Sequence, residues 1–92
     1  MNATIWKFKL QPHDSQILHI KGLIKVLSVA EQYGGIVLYA LIDPSHETPT
    51  KVPIYVVGTG HDFEWDLARR FLGTVLLMGG RLMFHVFMGE DR

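Results

Sequence analysis

The chain contains no cysteine. That excludes disulfides, thiolate metal sites and cysteine nucleophiles together. It also lacks net charge, with nine Lys and Arg against nine Asp and Glu. A general binder of nucleic acid or of a membrane surface carries a basic excess, so neither class is expected. Zero net charge leaves little repulsion between copies and favours self-association. No uninterrupted apolar run is long enough for a membrane helix. The longest candidate, 71–89, is broken by Gly79-Gly80 and Arg81, and reads as two strands around a tight turn. Residues 1–20 show no basic start followed by an apolar run, so a cytosolic protein is expected.

What is present is core material. Leu, Ile, Val and Phe make up 31 of 92 residues, well clear of a disordered composition. The length fits a single domain, 1–92, with a thin core. The apolar period is close to 2 nearly throughout. In 5–10, Trp6, Phe8 and Leu10 alternate with Lys7 and Lys9, which predicts a half-buried strand with Trp6 and Phe8 in the core. Further strands are expected over 16–20, 25–32, 36–42, 52–57, 74–78 and 82–88. The run 36–42 is apolar throughout and reads as a strand covered on both faces. Tyr33-Gly34-Gly35 marks a hairpin, its two glycines free to take positive φ. Residues 43–50 form the longest expected loop. Pro53 places its strand at an edge, or itself on the outer side. Only 62–71 has a helical period, with Phe63, Leu67 and Phe71 on one stripe and Asp62 as cap. Residues 11–14 read as a turn, and the tail 89–92 is expected to fray. The sum is a mainly β fold: a small antiparallel sandwich or partly open barrel of about seven strands, with one short helix between the fifth and sixth.

Charge is uneven along the chain: +3 over 1–25, −5 over 26–66 and +2 over 67–92. Such patches either steer one copy onto another or make up an ordinary mixed surface.

The most informative stretch is Val57-Gly58-Thr59-Gly60-His61-Asp62. A glycine-bracketed turn that leaves a strand and enters a helix exposes backbone N–H groups to an anion. Gly58, Thr59, Gly60 and His61 are therefore candidate ligand or partner contacts. Trp65 joins them because it lies off the helical stripe. Arg69 and Arg70 join them as bidentate partners for phosphate. The alternative is a turn that uses glycine only to reverse direction. The pattern is neither a dinucleotide fingerprint nor a P-loop, since the third glycine and the Lys-Ser/Thr pair are absent.

The five histidines (His13, His19, His46, His61, His85) show no metal-binding spacing, and no metal or other cofactor is expected. On an inner strand face, His85 would need partners for both ring nitrogens. No serine stands on a nucleophile elbow. The acid groups Asp62/Glu64/Asp66 and Asp43/Glu47 read as a charged helix start and a solvated loop.

The stretches Ile5-Trp6-Lys7-Phe8, Lys25-Val26-Leu27-Ser28-Val29, Leu38 to Pro44, Gly58-Thr59-Gly60-His61, Phe71-Leu72-Gly73-Thr74 and Phe84-His85-Val86-Phe87 together resemble a family of short phage and prophage proteins of unknown function. The resemblance spans nearly the whole chain. It departs at Tyr39, where a tryptophan is expected, and at Val57, where an aromatic is usual. It implies a phage protein acting in the host cytoplasm and implies no reaction. By analogy with small phage proteins, the functional expectation is a non-enzymatic, homo-oligomeric binding module. It would capture a nucleotide-like anion or a host protein, a candidate counter-defence role. The rival expectations are a structural or virion-associated protein without a pocket, and a small hydrolase using His61 or His85 with Asp43 or Asp62.

Overall fold

The computed structural model describes residues 2–12, 14–68 and 70–90. Seven strands lie in chain order: β1 (Thr4–Leu10), β2 (Ser15–Lys21), β3 (Leu23–Gln32), β4 (Gly35–Ile42), β5 (Pro49–Gly58), β6 (Arg70–Leu77) and β7 (Leu82–Met88). They form two open sheets, ordered β1-β4-β3 and β2-β5-β7-β6, with every pairing antiparallel. Alternation decides the core. Leu10, Val26, Ile36, Leu38, Ala40 and Ile42 of the first sheet pack against the inner residues of the second, among them Val52, Ile54, Val75 and Val86. The expected mainly β sandwich of seven strands is therefore the observed fold.

Four of the strands are one long hairpin, bent in the middle. β3 pairs β4 and β2 pairs β5, and a single residue, Gly22, separates β2 from β3. The hairpin crosses from one sheet to the other there. The Asp43 N–H donates to the Gly22 carbonyl at 2.8 Å, and the Gly22 N–H donates to the Thr48 carbonyl at 3.2 Å. Gly22 has φ +68°, a conformation that costs other residues energy. A β-carbon there would run into the Asp43 carbonyl oxygen and lie 3.0 Å from that of His46. At the hairpin tip the left-handed positions belong to Tyr33 (φ +52°) and Gly34 (φ +78°). Gly35 instead pairs with Gln32 in the ladder. This is the positive-φ pair that suits a two-residue turn.

Several expectations change. The helix over 62–71 does not form. Residues 61–64 are irregular, 65–67 make one turn, and Phe71 is a strand residue opposite Phe87. A helix this short is marginal without tertiary support, and strand pairing claims its end instead. β5 and β6 each run antiparallel to β7, so they are parallel to one another with β7 between them. The connection must cross β7, and it does so as an irregular strap over the outer face of the second sheet. Among the described residues, one 3-10 turn lies elsewhere, at Met78–Gly80.

The loop after β4 shortens to 43–48, because β5 begins at Pro49. Pro53 lies on a central strand, between β2 and β7. Its carbonyl accepts from the Gly89 N–H at 2.9 Å. A strand residue's N–H and C=O point the same way, so the missing donor of Pro53 falls beyond the last β7 pair, Ile54–Met88. The same bond holds Gly89, where fraying was expected; Asp91 and Arg92 lie outside the described residues, as does His13 in the 11–14 turn. Trp6 is 49 % exposed, because β1 is an edge strand with β4 as its sheet partner. β4 is closed on its inner face, while Tyr39 and Leu41 on its outer face are half-buried. Among the described residues no helix is long and apolar enough to cross a membrane.

Candidate functional site

Gly58 ends β5, and the His61 N–H returns to the Gly58 carbonyl at 3.0 Å. That closes a turn and commits one of its amides internally. With no helix behind it, the turn is not the helix-start anion site expected from the sequence. The His61 ring lies over Gly58, with Nδ1 3.0 Å from where a β-carbon would sit. A larger residue at 58 would push the ring away.

Thr59 is anchored by its side chain. Its hydroxyl lies 2.7 Å from Nε2 of His85, and the Thr74 hydroxyl lies 2.9 Å from Nδ1 of the same ring. Val57, His85 and Thr74 occupy one cross-strand row on the outer face of the second sheet. His85 thus points outward, not into the core, and both its nitrogens have hydroxyl partners. Three stretches far apart in sequence, around residues 59, 74 and 85, meet at this ring. Thr74 was not singled out from the sequence. Its pairing was legible: reflecting 82–88 onto 74–78 about Gly79-Gly80 sets Thr74 opposite His85.

Beside the row lies an aromatic ledge built where the strap crosses β7. Phe63 stacks on Phe87 with ring centroids 5.4 Å apart, Trp65 meets it edge-on at 6.1 Å, and Phe71 tilts against it at 5.3 Å. The three outer rings remain 43 %, 65 % and 54 % exposed, for Phe63, Trp65 and Phe71 in turn. Trp65 is exposed, as the sequence suggested, but its ring lies on Phe87, three rungs from the Gly58 rung, rather than at the turn. The ledge is rimmed by exposed Asp62, Glu64 and Asp66. Asp14, Asp62 and Glu64 also line a cleft of about 270 Å³ with Tyr55, Phe63 and Leu67. That is negative ground, unfavourable to phosphate.

Arg70 stands apart from the turn. It pairs with Met88 at the start of β6, in the rung of Ile54, while Gly58 pairs with Phe84. Four rungs separate them, roughly 13 Å along the strands. Its guanidinium approaches the Met88 sulfur at 3.9 Å. Arg69 lies outside the described residues. The fold therefore keeps Thr59 and His61 together at the turn, sets Trp65 on Phe87 three rungs along β7, and leaves Arg70 one rung further still.

The remaining candidates are local. His19 and His46 are exposed, and among the described residues no group of three His, Asp or Glu is placed to hold a metal. Asp43 accepts from the Ser45 hydroxyl at 2.6 Å and from the Ser45 N–H at 3.0 Å. The hydroxyl bond, then the N–H bond, hold its carboxyl below the ordinary value by favouring the charged form. Glu47 meets Lys21 at 3.7 Å in an exposed ion pair of small worth.

A family model described as a domain of unknown function (DUF7352) matches residues 1–92, and the chain belongs to that family. No curated protein and no solved structure matches it.

Proposed function

We propose that this DUF7352 member is a non-enzymatic contact module that assembles with further copies of itself, a phage-type protein working in the host cytoplasm. The observation that carries the reading is the aromatic ledge. Phe63, Trp65 and Phe71 are held in place around Phe87 yet stay about half in water. Rigid aromatic side chains of this kind dominate contact surfaces, because little freedom is lost when they are covered.

Charge selects the partner. The ledge has an acidic rim. The outer face of the other sheet, on the opposite side of the molecule, carries exposed Lys7, Lys9 and Lys25 around Ile5, Tyr39 and Leu41. The two faces are complementary in charge, and each has an apolar centre. A second copy docked head to tail matches both, and a heterologous contact of this kind closes into a ring or runs on as a chain. Covering one large apolar side chain completely gives about 1.5–3 kcal/mol. Three half-exposed rings therefore supply only a few kcal/mol, against an association cost of at least about 4 kcal/mol. The lysine face must contribute, and assembly is weak and salt-sensitive.

The test is a charge exchange read by sedimentation velocity. Wild type sediments above its 10.5 kDa monomer mass as concentration rises. Glu64→Lys with Asp66→Lys returns it to monomer, as does Lys9→Glu with Lys25→Glu. Mixing the two double variants restores a larger species. A wild type that stays monomeric, or double variants that assemble as it does, defeats the proposal.

A further inference from the structure

We infer that the cleft between the Gly58–His61 turn and the start of β7 holds a small oxyanion, a phosphate monoester or a carboxylate, on Arg81 and the Thr59 hydroxyl. This site is separate from the ledge and does not depend on assembly.

The cleft measures about 290 Å³, just below the range usual for drug-sized ligands, which suits a small anion. Thr59 and His61 line it from the turn, and Arg81, Met83 and Phe84 from the start of β7. Arg81 is exposed, and among the described residues it has no carboxylate partner. Its position is set by the turn before it. Met78, Gly79 and Gly80 all have positive φ (52°, 67° and 90°), and the Arg81 N–H closes on the Met78 carbonyl at 3.3 Å. These left-handed residues make the turn between β6 and β7, as Tyr33 and Gly34 do between β3 and β4, and fix where Arg81 leaves it. The acids Asp14, Asp62 and Glu64 line the neighbouring cleft and not this one, and His61 lines both.

The hydroxyl row decides what Thr59 offers. A hydroxyl both donates and accepts, whereas a neutral imidazole does one at each nitrogen. If the Thr74 hydroxyl donates to Nδ1, then Nε2–H donates to the Thr59 oxygen. The Thr59 proton is then free to donate into the cleft. Run the other way, Thr59 spends its proton on Nε2 and turns lone pairs outward, which repels an oxyanion. Anion binding therefore requires the first direction, with His85 and Thr74 as positioning residues for Thr59. Met83, 44 % exposed, leaves an apolar flank for the body of the ligand.

The test is titration of the whole protein with inorganic phosphate and, separately, sodium acetate, followed by backbone amide NMR. Either anion should give saturable shifts at Thr59, Gly60 and Arg81; phosphate alone marks a phosphate site, acetate alone a carboxylate site. Arg81→Ala weakens binding by about tenfold or more, the loss of a charge-assisted contact. Thr59→Val weakens it about fivefold, while Thr59→Ser keeps it. Nitrogen-15 shifts of His85 in the bound state report Nε2–H, and Thr74→Val disturbs that tautomer. Arg81 is exposed, so its variant keeps the wild-type circular dichroism. The proposal is overturned if neither anion gives saturable shifts, if Arg81→Ala binds as wild type does, or if bound His85 carries its proton on Nδ1. Turnover of p-nitrophenyl phosphate that Thr59→Val abolishes also overturns it, by making Thr59 and His85 a nucleophile and base.

Discussion

Replacing Gly22 by alanine tests whether the bent hairpin organises the fold. Gly22 and Gly34 have nearly the same backbone conformation, φ +68° and +78°, but differ in surroundings. A β-carbon at 34 meets nothing within 4 Å, whereas one at 22 runs into the Asp43 carbonyl oxygen. Gly34→Ala therefore costs only the left-handed strain, about 1–2 kcal/mol. Gly22→Ala adds a clash between backbones, which cannot rotate away. The bend must open, and its two hydrogen bonds, from Asp43 to Gly22 and from Gly22 to Thr48, lengthen or break at about 0.5–1.5 kcal/mol each. The sum is about 2–5 kcal/mol, a large share of the about 5–15 kcal/mol that holds a domain together. A domain of this size loses about 4–8 °C of Tm per kcal/mol. Gly22→Ala should therefore melt roughly 8–40 °C below wild type, and Gly34→Ala roughly 4–16 °C below. Thermal unfolding followed by circular dichroism measures both. Equal losses for the two variants would show that the bend is not the constrained point.

Two further outcomes follow from local geometry. Tyr33 is 97 % exposed at φ +52°, so Tyr33→Asn should raise the stability measured in urea by about 0.5–1 kcal/mol, because asparagine tolerates that conformation better. Ser45→Ala should raise the Asp43 pKa toward its ordinary value in a carboxyl NMR titration. Because the folded-state value is lowered, Asp43 contributes stability above its unfolded value, and loses it as pH falls through its own lower one. The variant keeps the backbone N–H bond but loses the larger, hydroxyl part of that contribution, so its stability at neutral pH falls and its acid limb flattens; an unchanged Asp43 titration would contradict the assigned cause.

Strands were readable wherever one face alternates. Lys7 and Lys9 flag the outside of β1 as plainly as Phe8 and Leu10 flag its inside. The sharing of β2–β5 and β3–β4 between two sheets was not readable, because it depends on a long-range bend at Gly22 that looks locally like any Lys-Gly turn. The false helix has a physical origin. Phe63, Leu67 and Phe71 fall at helical spacing, yet Phe63 and Phe71 pack around Phe87 from a strap and a strand respectively. Pairing with β7 outweighed local periodicity. For the same reason the sequence linked Arg70 to the Gly58 turn, when the strap carries it to the far end of β7. Trp65 is exposed as expected but not for the expected reason: no helix forms, and Phe63 and Phe71 on the supposed buried stripe are exposed beside it. The contact between Thr59 and His85 joins residues 26 positions apart, and no local pattern encodes it.

The most direct test of the contact surface watches the ledge itself. Trp6→Phe leaves Trp65 as the sole tryptophan, so its emission reports on the ledge alone. As concentration rises into the range where sedimentation velocity detects a larger species, Trp65 emission should move to shorter wavelength and iodide should quench it less. Assembly that leaves Trp65 emission and quenching unchanged would place the contact elsewhere and contradict the account.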